Sequence, residues 1–302
     1  MYKVLISAPY LQQEFDEYKH LLSNYEIILP QVNERLSEEE VLKYSDIDGI
    51  ICGDDKITRN VIDQISNLKV VVKWGTGIDS IDWFYLKEKN IPLFNTPNAF
   101  TIPVSESAIG LILSLSRRII DSDRWMKKGN WYKLPGKTIN ESTIGIIGRG
   151  NIGSEVKRKL KMFTDNILIY DIKNEIKETD PDWVELDYLL KHSDIITIHC
   201  DLNPTSHGLI STERINKMKD GVILINTARG PIINEQDLVK GLFNSKFGGV
   251  GLDVFENEPL DEDSPLRNFD KCVLSAHATN SSPKYWKKVH INSINNLKKI
   301  LK

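Results

Sequence analysis

Short runs of wholly apolar residues alternate with polar, amphipathic stretches through most of the chain. Runs at 4–7, 26–29, 48–52, 70–74 and 92–95 read as strands, several of them apolar throughout. Between them, 37–44 and 58–65 read as helices, the first opened by Ser37 with Glu40 placed to complete a capping box. Such alternation predicts a parallel sheet with helices on both faces. A turn-rich segment at 95–103 leads into a long helical pattern from Pro103 to about Met126, with Ala108, Leu111, Ile112, Leu113 and Leu115 on more than one face. This predicts a helix buried in an interface, linking two domains and meeting a second subunit; a core helix of a monomer is the alternative. From residue 143 the alternation resumes. Strands at 144–147, 167–170, 195–199, 222–226, 248–252 and 273–275, with helices near 152–162, 184–191, 212–218 and 235–244, predict a second doubly wound sheet. Residues 285–301 form a basic amphipathic pattern carrying Lys287, Lys288, Lys298 and Lys299, expected to dock on the first domain rather than on a membrane surface.

Composition narrows the class. A chain of 302 residues suits two domains of about 150 each, and 40% hydrophobic with 27% charged residues is ordinary for a soluble globular protein. A net charge of -3 gives no electrostatic case for nucleic acid, and no apolar run approaches the roughly 20 residues that span a bilayer. A cytoplasmic location is expected. Cys52, Cys200 and Cys272 fall in or at the end of strand-like runs without CxxC spacing, which suits buried free thiols and not a metal site.

The run TIGIIGRGNIG at 143–153 ends in glycines spaced GxGxxG. Gly148 suits a tight turn from strand to helix, Gly150 lets backbone approach a pyrophosphate, and Gly153 lets helix and strand pack closely. A bare βα turn would read the same. The fingerprint further requires an acid about 20 positions on, at the end of the next strand, to accept from ribose hydroxyls, and Asp171 closes the run at 167–170. A carboxylate there repels a 2′-phosphate, so NAD is expected over NADP; Lys173 nearby could relieve part of that repulsion.

Ligands of open parallel sheets bind beyond the carboxyl ends of the strands. Those ends carry NTARG at 226–230, DVFENEP at 253–259 and SAHA at 275–278, with His199 nearby. Arginine can hold a carboxylate bidentately, and a histidine beside a carboxylate can give or take a proton near neutral pH. Singly, Arg229 could cap a helix, Glu258 could be solvated and His277 could be a satisfied core histidine. Together at successive strand ends they point to chemistry. His20, His192, His207 and His290 are expected on the surface, and His199 receives no catalytic role.

Six ordered motifs, KWGTGID at 73–79, NTP at 95–97, the glycine run at 148–153, NTARG, DVFENEP and His277, make the chain resemble the D-isomer-specific 2-hydroxyacid dehydrogenases, in particular their phosphoglycerate-dehydrogenase-like branch. The resemblance runs from about Asp48 to the C-terminus. It implies a flavodoxin-like substrate domain (1–99 plus 284–302), a Rossmann NAD-binding domain (100–283), an active site in the cleft, and a homodimer. It also implies that Arg229 binds and polarises a 2-oxo acid, that Glu258 pairs with the acid–base His277, and that Lys73, Thr76 and Gly77 contact substrate. Arg149, Asn151 and Ile152 would lie at the pyrophosphate, Asp171 at the ribose, and Thr227 and Asp253 near the nicotinamide. Oxidising a 2-hydroxy acid removes a hydride and a proton, so a titrating group and a fixed cation are both needed. An NAD(H)-sensing interaction protein on the same fold is the rival expectation. Two departures bear on substrate: His277 is followed by ATNSS where the family has an aliphatic residue and glycine, and the 52–55 stretch CGDD offers acids where a phosphate-binding arginine would be expected.

Overall fold

The computed structural model describes residues 1–302, which fall into two compact units, Met1–Phe100 with Ser281–Lys302 and Thr101–Asn280. The first holds a parallel sheet in the order β2-β1-β3-β4-β5, built from β1 (Tyr2–Ile6), β2 (Tyr25–Ile28), β3 (Gly49–Cys52), β4 (Val70–Lys73) and β5 (Leu93–Phe94). Strands β3 and β4 are buried at every position, as expected of interior strands covered on both faces. The helix Glu38–Leu42 begins with the reciprocal box foreseen from Ser37 and Glu40, the Ser37 amide donating to Glu40 Oε2 at 2.8 Å and the Glu40 amide to Ser37 Oγ at 3.3 Å. One covering layer of this unit comes from the far end of the chain, where the helix Pro283–Ile300 packs Val289, Ile294 and Leu297 against β3 and β4.

The second unit holds six parallel strands in the order β11-β10-β9-β8-β6-β7: β6 (Ile144–Ile147), β7 (Ile167–Tyr170), β8 (Ile195–Ile198), β9 (Val222–Asn226), β10 (Phe247–Leu252) and β11 (Cys272–Leu274). Successive residues feed opposite faces, so Ile144 and Ile146 pack with Ala108, Val156 and Leu160 while Ile147 packs with Ile198, Leu224 and Leu252. The chain leaves β6 for β7 on one side and returns to β8 on the other, which makes the β6/β8 boundary a switch point where ligand crevices form.

Two expectations are corrected. The single helix from Pro103 to about Met126 is two, Thr101–Ser116 and Ile119–Lys127, because Arg118 takes a left-handed conformation (φ 53) between them. The chain at Gly136 lies against this break, where Arg117 Nη1 donates to the Gly136 carbonyl. No glycine or proline marks the break in sequence. His290 is not a surface residue: it is fully buried, on the inward face of the C-terminal helix.

Candidate active site

At the end of β6 the chain turns through Gly148 with φ 92, and a Cβ there would sit 2.4 Å from the Cys200 nitrogen. A Cβ on Gly153 would sit 2.0 Å from the Gly148 carbonyl, so helix and turn touch backbone to backbone. Gly150 is different: nothing lies within 4 Å of its missing Cβ, and it starts the helix Asn151–Leu160 with no side chain capping the first amides. An open approach onto uncapped helical N–H groups is what a pyrophosphate requires. Asp171 stands beside this turn. Its Oδ2 accepts from the Arg149 amide at 2.6 Å and its Oδ1 from the Lys173 amide at 2.9 Å, which leaves acceptor capacity on both oxygens for a pair of hydroxyls. The Arg149 side chain turns away to the buried Asp180, which also accepts from Lys157 at 2.6 Å. Arg149 therefore offers the turn its backbone, while its charge is spent on a buried network.

Three loops at the carboxyl ends of β9, β10 and β11 carry the catalytic candidates. Asn226, fully buried, ties the first: its Nδ2 donates to the Arg229 carbonyl at 2.9 Å and its Oδ1 accepts from the Ala228 amide at 3.0 Å. The following Gly230 lies flat on the second loop, with a hypothetical Cβ 1.9 Å from Phe255 backbone atoms. That second loop presents Glu258, whose Oε1 accepts from the Phe255 amide at 3.0 Å and whose Oε2 lies 3.0 Å from His277 Nδ1. Each carboxylate oxygen thus has its own partner. The side chains of His277 and Glu258 are about a quarter exposed, at 26% and 24%, enough for a small molecule to reach the imidazole.

His277 itself adopts φ 48, a conformation uncommon outside glycine, and the residues around it show what holds it there. Asp253 is fully buried, and its Oδ1 accepts from Ser275 Oγ (2.6 Å) and the Ala278 amide (2.8 Å), its Oδ2 from Thr279 Oγ1 (2.6 Å) and the Thr279 amide (3.2 Å). Its carbonyl accepts from the His277 amide at 2.8 Å. Sequence reasoning found Asp253 but missed Ser275 and Thr279; hydroxyl residues two positions either side of a candidate histidine were the available signal. Thr227 is 6% exposed and its hydroxyl is buried with no partner, an orphan donor at the end of β9 that a ligand amide could satisfy. His199 bonds Thr197 Oγ1 at 2.8 Å, and burial drives its pKa down to about 3, so it is neutral at working pH and suited to packing under the glycine turn.

In the first unit, Lys73 ends β4 with its ammonium buried, 3.0 Å from Asp54 Oδ1 and 3.1 Å from the Trp74 carbonyl. The loop beyond turns at Gly75 (φ 116), with Thr76 exposed and Gly77 half-buried at its tip. Thr96 and Asn95 grip that loop: the Thr96 amide donates to the Gly75 carbonyl at 2.8 Å, Thr76 Oγ1 to the Thr96 carbonyl at 3.1 Å, and Asn95 Nδ2 to the Thr76 carbonyl at 2.7 Å.

Residues 109–279 match the family model for the NAD-binding domain of D-isomer-specific 2-hydroxyacid dehydrogenases. The chain is 36% identical over 306 residues to the hydroxypyruvate reductase of Thermotoga maritima, covering 99% of this chain and 98% of that protein. It is 38% identical over 258 residues to the glyoxylate reductase of Thermofilum pendens, covering 82% of this chain and 76% of the relative. The fold matches the crystal structure of D-lactate dehydrogenase from Aquifex aeolicus complexed with NAD and lactic acid at a TM-score of 0.86 and 28% identity, over 98% of this chain and 94% of that one. The chain belongs to the D-isomer-specific 2-hydroxyacid dehydrogenases. It is an NAD-binding oxidoreductase with a Rossmann domain.

Proposed function

We propose that the protein interconverts a small, unphosphorylated 2-oxo acid and its D-2-hydroxy acid. The observation that carries this reading is the Glu258–His277 pair at 3.0 Å, itself fixed by the Phe255 amide, on the same sheet end as the glycine turn. With Nδ1–H donated to Glu258, the other ring nitrogen of His277 is the one that delivers or removes the substrate proton. NADH, when bound, supplies the hydride. Arg229 holds the acid and polarises the 2-oxygen, a role suited to a guanidinium because it keeps its charge and does not compete for the proton. The amides of Asn151, Ile152 and Gly153 take the pyrophosphate, Asp171 the ribose and Thr227 the nicotinamide end, Asp253 being occupied in holding the His277 loop, while Lys73 and the Thr76 and Gly77 amides contact the substrate.

The preference for an unphosphorylated substrate rests on Lys73. Its buried ammonium already has Asp54 as counter-ion at 3.0 Å, and that pairing favours substrates whose anion is the carboxylate alone. The relatives named glyoxylate and hydroxypyruvate reductases lie in the same direction. Oxidation of NADH by glyoxylate, hydroxypyruvate, pyruvate, longer 2-oxo acids and 3-phosphohydroxypyruvate tests the proposal. Turnover with one of the unphosphorylated acids is expected to exceed that with the phosphorylated one. Tight NADH binding with no turnover of any would overturn it.

A further inference from the structure

The loop at 75–77 is tied to the C-terminal helix at two separate points. The first is Trp74, whose buried indole N–H donates to Nδ1 of His290 at 2.9 Å. An imidazole that accepts at Nδ1 carries its proton on Nε2, which lies 3.3 Å from Glu14 Oε2. The ring is wedged between aromatic neighbours, with the Trp74 ring centroid at 5.6 Å and that of Tyr18 at 5.1 Å. Burial holds the His290 pKa down at about 4, so the acceptor at Nδ1 persists throughout the neutral range. The second point is Asn292, whose Nδ2 donates to Thr96 Oγ1 at 2.8 Å. Thr96 in turn holds both the Gly75 carbonyl and the Thr76 hydroxyl. Lys73, Trp74 and the loop beyond are therefore braced from one side by an imidazole and from the other, through Thr96, by an amide.

Stability alone does not call for these bonds. Val289, Ile294 and Leu297 already bury the apolar face of the helix, and a leucine or phenylalanine at position 290 would extend it. A polar pair placed where the helix meets this loop has a more specific consequence. A carboxylate taken by backbone amides is bound tightly only if those amides are held in one orientation before it arrives.

We infer that His290 and Asn292 are positioning residues for the substrate: through Trp74 and Thr96 they fix the orientation of the Thr76 and Gly77 amides and so set the affinity for the 2-oxo acid. This rests on the proposed function, in which those amides contact the acid.

Steady-state kinetics of the full chain test it, with the same 2-oxo acid and NADH throughout. Asn292→Ala, at a half-buried position, and His290→Leu, which leaves the indole N–H without an acceptor, are each expected to raise KM for the acid by about tenfold, the scale of one lost hydrogen bond. Turnover number and NADH affinity should stay within about twofold. The inhibition constant of oxamate, an unreactive analogue of a 2-oxo acid, should rise by the same factor as KM. His290→Asn, whose side-chain oxygen can replace Nδ1 as acceptor, should restore it. If His290→Leu does not fold, Asn292→Ala decides. An unshifted KM in a folded Asn292→Ala, or a loss of turnover, NADH affinity and melting temperature in step with KM, overturns the positioning role. Absence of turnover by the unsubstituted protein overturns the functional reading beneath it.

Discussion

Glu258 divides its two oxygens between a backbone amide and an imidazole, and that division gives the His277 ring its direction. A histidine alone on this loop could rotate or change tautomer; one whose Nδ1 meets a carboxylate pinned by the Phe255 amide is held in one orientation. His277→Ala is accordingly expected to lower the turnover number roughly 100-fold or more with NADH affinity little changed, measured by steady-state kinetics and by fluorescence titration of NADH. A variant that kept its rate would remove His277 from the mechanism. The residue was legible in the sequence because it stood at a strand end in company with Arg229 and Glu258. The clamp beneath it was not. Ser275 and Thr279 flank the histidine as common hydroxyl residues, and only three dimensions bring both onto the oxygens of Asp253 at 2.6 Å.

At the scale of elements, every strand was foreseen with its ends within about two residues, because interior parallel strands must be apolar on both faces and leave unbroken runs such as Ile144–Ile147 and Ile195–Ile198. Helices set by tertiary packing were less legible. The break at Arg118 leaves no sequence signal, since arginine is an ordinary helix former and the stretch of chain at Gly136 that packs against the break is distant in sequence. His290 did leave one: it lies four and seven positions before Ile294 and Leu297, on the same apolar stripe. Two loops are joined at Gly230, where no side chain separates the Arg229 loop from the one that carries Glu258. Gly230→Ala must push these loops apart. A stability loss of about 1–3 kcal/mol is expected, together with a fall in turnover that exceeds any change in NADH affinity, measured by denaturant titration and kinetics. Equal stability and activity in the variant would show that the loops move independently.

At the scale of the whole molecule, the second unit exposes a run of large apolar side chains, Ile119, Trp125, Met126, Trp131 and Tyr132, on and just after the helix Ile119–Lys127. Water is a poor neighbour for such a surface, and a second copy of the chain would cover it. Dimeric mass by light scattering is expected, shifting to monomer in Trp125→Glu with Trp131→Glu; a monomeric parent protein would refute this assembly.

The C-terminal helix has a consequence in time. A ribosome delivers the chain from its first residue to its last, and residues 101–280 emerge as a complete unit while the sheet that was made earliest still lacks part of its cover. Until Pro283–Ile300 follows, β3 and β4 have bare apolar positions where that helix will lie, and Trp74 has no imidazole to meet. The unit whose synthesis starts first is therefore the last to mature, because β3 and β4 wait for Pro283–Ile300.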